Sequence, residues 1–156
     1  MNNPYQVPQA ELATESGDVE YVGFWMRVAA SLVDTILMMM IIYPVLLAVY
    51  GGSYLTKTTL TAGPVDILMS YIFPAIAVLV FWVYKSATPG KMAVSAVIVD
   101  AKTLGKPSAG QLVLRYLCYY VSAIPLLLGI FWVGWDKRKQ GWHDKIAGTV
   151  VIRKRG

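Results

Sequence analysis

Two ionisable side chains set into apolar sequence, Arg27 and Asp34, are the first candidates for chemistry in this 156-residue chain. Seven residues apart, they fall on nearly one helix face, about 10 Å apart along the axis, with Ser31 between them. Arg27 can carry its charge back to a membrane interface behind Phe24 and Trp25. Asp34 is deeper and cannot. An ionised carboxylate inside a bilayer is costly unless paired, so Asp34 reads either as functional or as buried within a bundle. A carboxylate in that position can exchange a proton for a cation. The other reading is an internal ion pair with Arg27 that fixes helix packing. His143 and Asp144, consecutive near the C-terminus, are the second candidate group. His143 titrates near neutrality and can shuttle protons, although next to Trp142 it reads more simply as an interfacial anchor. Asp144, ahead of Lys145-Ile146-Ala147 and a stopping Gly148, fits a helix cap as well as an ion site.

Other chemistry finds little support. The single cysteine, Cys118, excludes an internal disulfide framework and any CxxC zinc or redox site. No Ser-His-Asp order, glycine-rich phosphate loop or ligand-spaced cluster is present, so neither catalysis nor a cofactor is expected. Met38-Met39-Met40 point in different directions around a helix and read as packing, not as a metal site. Pro44 and Pro74 read as kinks.

The elements that must position these residues are membrane spans. Hydrophobic residues make up 56% and charged residues 15% of the chain, against about 25% charged in soluble domains. Residues 35–56 carry no charge, and 28–50 includes only Asp34. At about 1.5 Å per residue this crosses the ~30 Å hydrocarbon core. A second span is expected at 67–84, ending in the interfacial aromatics Phe81-Trp82-Val83-Tyr84. Residues 1–20 hold four acids and no Lys or Arg, and read as a flexible cytoplasmic tail without signal-peptide features.

Of 14 Lys and Arg, Lys85, Lys91, Lys102 and Lys106 follow the second span, and seven lie beyond 136, three of them in 153–155. Lys57 alone lies between the spans. The positive-inside rule then puts both termini in the cytoplasm and 51–65 outside. The net charge of +5 is thereby explained by topology and anionic lipid headgroups, with no nucleic-acid partner implied.

A third uncharged run, 116–135, has basic flanks on both sides, which conflicts with a simple crossing. Pro125 offers a break. Two half-helices within 109–135 are expected to form a re-entrant or in-plane hairpin in preference to a third crossing. Gln111, Arg115, Tyr119 and Ser122 form a polar stripe on the first half, and Ser108 with Gln111 has capping-box form. β-branched residues at 93–99 and 149–152 are expected to pair, because a lone strand leaves its backbone groups unsatisfied. The expected architecture is an all-α membrane protein with two transmembrane helices, a Pro-broken helical segment and a small cytoplasmic β pairing. The membrane domain would be 21–153, and 154–156 a basic end.

The segment Gln140 to Val151, together with Arg27, Asp34 and Thr88-Pro89-Gly90-Lys91, resembles the RDD family of bacterial membrane proteins over about 20–153. The family's arginine and first aspartate match Arg27 and Asp34. Its second aspartate matches Asp144, with Asp136 as the alternative. The resemblance implies a bacterial cytoplasmic (inner) membrane location and a transport role, some members being described as sodium/proton antiporters. A small transporter of monovalent cations and protons, closed by a homo-oligomer or by the broken segment, is therefore one expectation. The other is a non-transporting scaffold or accessory subunit in which these residues are structural.

Overall fold

A computed structural model describes residues 19–153, so the expected tail lies, but for its last two residues, outside the described part, as do 154–156. Helix α1 (Phe24–Tyr50) is a 27-residue rod that passes through Pro44 and stops where Gly51 takes φ 68°. Helix α2 (Pro64–Lys85, 22 residues) starts with Pro64 in its first turn. It opens into one π turn at Leu68–Ile72 and closes at Ser86, which adopts a left-handed conformation. The π turn precedes Pro74, whose ring would crowd the carbonyl of Ser70 in a regular α-helix. Widening the helix there absorbs the clash. Both helices are long and apolar enough to cross a membrane, and only 6% of the most apolar window of each is buried. Many of their apolar side chains, such as Met40, Ile41, Tyr71 and Ile76, are exposed, as on a helix that faces lipid. Each runs a few residues beyond the expected bounds of 28–50 and 67–84, because the aromatic and Pro-led ends continue the helix.

The chain then turns through α3 (Pro89–Ala93) into β1 (Ala96–Asp100). The strand expected at 93–99 starts three residues late: α3 takes the chain to Ala93, and Ser95, at φ 55°, turns it into the sheet. β1 pairs antiparallel with β2 (Thr149–Arg153), Ile98 opposite Val151. On the other edge of β2, Val22 N–H donates to the Val151 carbonyl (3.0 Å), and Arg153 N–H to that of Glu20 (2.8 Å). The sheet thus ties the approach to α1 to the C-terminal strand. Val22, Trp82, Ile98, Leu112 and Val151 form the core beneath it.

Helix α4 (Ala109–Ala123) begins with the expected capping box between Ser108 and Gln111. The Gln111 amide also donates to Asp100 at 2.6 Å. With the Thr103 and Lys102 backbone N–H groups it lowers the Asp100 carboxyl pKa to about 2. A helical segment, α5 (Leu128–Gly134), follows at an angle of 114°. The break lies at Pro125 and the two residues after it, Leu126 (φ 51°) and Leu127 (φ 64°). Gly129 lets the bend close, because a Cβ there would lie 2.8 Å from the Ser122 Cα. Short helix α6 (Trp142–Ala147) ends at Gly148 in the left-handed region and leads into β2. Because β1 precedes the bent segment and β2 follows it, their pairing joins its two flanks.

Candidate functional site

Arg27 sits in the first turn of α1 and donates one hydrogen bond from each of its three nitrogens. Nη1 donates to Asp144 Oδ2 at 2.6 Å, Nη2 to the Lys139 carbonyl at 2.6 Å and Nε to the Val22 carbonyl at 3.1 Å. The Arg27–Asp34 pair considered from spacing does not form. Residues on one face of a helix need not touch, and a guanidinium near the start of α1 reaches α6 and the loop before it rather than Asp34. Asp144 is fully buried. Its Oδ1 accepts from Arg115 Nη1, and its Oδ2 also accepts the Gly141 N–H (3.1 Å), which caps α6. It is cap and ion-pair partner at once. Arg115 donates further to Thr149 Oγ1 at 2.8 Å. The polar stripe of α4 therefore faces inward, and Arg115 is its key member. Sequence spacing placed Arg115 on that stripe without singling it out.

Asp136, the alternative second aspartate, pairs instead with Lys145 at 2.5 Å and accepts the Arg138 and Gln140 N–H groups, at 3.1 Å each. It shapes the loop before α6 and stands apart from Arg27. His143 is no interfacial anchor: it is 2% exposed and stacked on Tyr119, ring centroids 3.9 Å apart. The turn of α6 that places Asp144 inward carries its neighbour inward too. Neither ring nitrogen has a hydrogen-bond partner. Burial, with Arg115 and Arg27 nearby, holds the imidazole far below its ordinary pKa, so it is neutral at physiological pH.

Asp34 occupies a different environment. Its Oδ2 accepts from Thr88 Oγ1 at 2.5 Å and its Oδ1 from the Gly90 N–H at 2.6 Å. Thr88 and Gly90 sit at and within the start of α3, so the carboxylate docks α3 against α1. Only glycine fits at 90: a Cβ there would fall 1.9 Å from the Ala30 carbonyl oxygen. Asp34 also lines a groove of about 510 Å³ between α1 and α2, along with Thr35, Thr88 and Lys91. A carboxylate has about four acceptor sites, and two donors leave the others free. Among the described residues no three carboxylate, imidazole or thiol side chains converge on a metal-sized site.

The other end of the groove carries Tyr54 and Ser70, and both donate to Asp66, at 2.9 and 2.8 Å. Lys57 pairs with the same carboxylate at 2.5 Å. Sequence reasoning missed this cluster because Asp66 borders the uncharged run and reads as a helix-start acid. Its signal was Lys57, the lone cation between the spans.

Two apolar helices of membrane-spanning length, a buried Arg–Asp–Arg cluster and a groove lined by Asp34 mark a small, mostly helical protein of membrane type. Residues 21–148 match the family model described as "RDD family", and the chain belongs to that family. An uncharacterized protein of Rickettsia prowazekii (strain Madrid E) is 47% identical over 73 residues, which cover 47% of this chain and 40% of that protein. The chain thus matches less than half of that relative's length. No solved structure matches the chain.

Proposed function

We propose that this RDD-family protein exchanges a monovalent cation for a proton across the bacterial cytoplasmic membrane, with Asp34 as the shared binding group. Of the four sequence candidates, Arg27 and Asp144 are committed to one another and His143 is buried and neutral. Asp34 lines the larger groove between α1 and α2, whereas Arg27 and His143 line a smaller one of about 210 Å³. The observation that carries the reading is this carboxylate, bound only by neutral donors, in the wall of the groove between α1 and α2. Ionised, it accepts a cation alongside the oxygens of Thr35 and Thr88; protonated, it releases it. Competition of proton and cation for one carboxylate couples their movements. A single carboxylate with hydroxyl neighbours suits a singly charged ion, whereas divalent cations call for more charged oxygens. The groove runs along α1 from Ser31 to Leu46, about 22 Å at 1.5 Å per residue. Two helices do not enclose a path, so the reading includes a homo-oligomer or the bent α4–α5 segment as the remaining wall.

The test is flux from protein reconstituted in liposomes under an imposed sodium, potassium or pH gradient. Wild-type protein is expected to dissipate the gradient, and Asp34→Asn, of nearly equal volume, to abolish exchange while remaining folded. Equal flux from Asp34→Asn would remove Asp34 as carrier. A wild type that moves none of these ions would leave the scaffold reading in its place.

A further inference from the structure

The groove that holds Asp34 contains more than an ion requires. One end carries Lys91, the other residues of its length are mostly apolar, and one side lies open between the two helices. Lys91 is 8% exposed, yet among the described residues its ammonium makes neither a hydrogen bond nor an ion pair. Its one close polar-type contact is the face of Trp82, with Nζ 5.0 Å from the ring centroid. The indole Nε1 of Trp82 is buried without an acceptor. A nearly buried ammonium without a partner is costly, and burial lowers its pKa to about 8. The one carboxylate at this end, Asp34, is held by Thr88 and Gly90 and forms no ion pair with Lys91, so donors here outnumber acceptors.

Position identifies the kind of anion. Trp82 precedes the end of α2 at Lys85 by three residues, about 5 Å along the axis, which is the depth of lipid headgroups. From there the groove follows α2 back to Ser70, about 18 Å, and passes Ile42 and Met38 on α1. One leaflet of hydrocarbon is roughly 15 Å deep, half of the ~30 Å core. An anionic head at the interface with an apolar chain of one leaflet's length is the chemistry of a phospholipid.

We propose that this groove seats one phospholipid, its phosphate on the Lys91 ammonium and one acyl chain between α1 and α2. The lipid would share this groove with Asp34, so its retention is measured apart from cation flux. It is more specific than attraction of a basic face to anionic membranes, because it requires one buried cation and one shaped groove.

The experiment is native mass spectrometry of the full-length protein in detergent, with added phosphatidylglycerol or the diacylglycerol of the same chains. One phosphatidylglycerol is expected to remain bound, and the diacylglycerol to be lost. Lys91→Gln should weaken retention about tenfold, the scale of one charge-assisted hydrogen bond, and Lys91→Arg should keep most of it. Ile42→Trp fills the groove away from Lys91 and should weaken retention with the lysine intact. That variant keeps the test open if Lys91→Gln fails to fold. Retention undiminished in Ile42→Trp, or in folded Lys91→Gln, would overturn the proposal. So would diacylglycerol held as firmly as phosphatidylglycerol, or displacement of the lipid by millimolar inorganic phosphate. Flux through Asp34 is a separate readout, so either reading can fail alone.

Discussion

At the scale of single residues, Arg27, Asp34 and Asp144 divide into two sites with different work. Asp144 holds two guanidinium groups, Arg27 and Arg115, in a fully buried position. Removing the carboxylate leaves both cations without their counter-charge, which costs about 3–5 kcal/mol in buried pairs. Asp144→Asn should therefore lower the melting temperature of detergent-solubilised protein more than Arg27→Gln does. A double-mutant cycle separates the two sites further. Arg27→Gln and Asp144→Asn share a hydrogen bond and should show clear coupling, above about 0.5 kcal/mol. Arg27→Gln and Asp34→Asn share no partner and should add within about 0.5 kcal/mol. Coupling in the second cycle and none in the first would contradict this division. The sequence made Arg27 and Asp34 look like one site because it displays helix periodicity, whereas the partner of Arg27 lies 117 residues away.

At the scale of elements, β1 depends on β2 for its entire ladder, and β2 also carries the strand-like approach to α1 through Val22 and Glu20. Truncation after Gly148 should speed amide exchange at Val97 and Val99 and also at Val22, because both edges lose one central strand. Exchange in β1 that matches the full chain would refute the dependence. Much at this scale was legible: the two spans from uncharged length, the α4 start from Ser108 and Gln111, the break from Pro125, and the strand pair from β-branched runs. Those features are local, or follow from a rule that local chemistry obeys. The inward turn of His143, the π turn ahead of Pro74 and the closeness of Gly90 to Ala30 were not legible, since each is set by what packs across from it. Thr88-Pro89-Gly90-Lys91 was noticed as a motif, but its purpose as the dock for Asp34 needed the third dimension.

At the scale of the whole molecule, the joined flanks of the bent α4–α5 segment predict that it enters and leaves on one side of the membrane. Single cysteines at Ser53, Lys106 and Lys137, in a Cys118→Ala background, test this with an impermeant thiol reagent. Ser53→Cys should react from outside, and Lys106→Cys and Lys137→Cys only from the cytoplasmic face. Labelling of Lys137→Cys from outside would restore a third crossing. The bond between Arg27 and Asp144 also has a consequence for biogenesis. Synthesis at about 5–20 residues per second separates their emergence by roughly 6–23 s. An α1 that inserts as it is made would hold its guanidinium without its acid until residue 144 emerges. Completion of the buried cluster thus waits on the last tenth of the chain, and a chain stopped before residue 144 would lack the acid that Arg27 and Arg115 share.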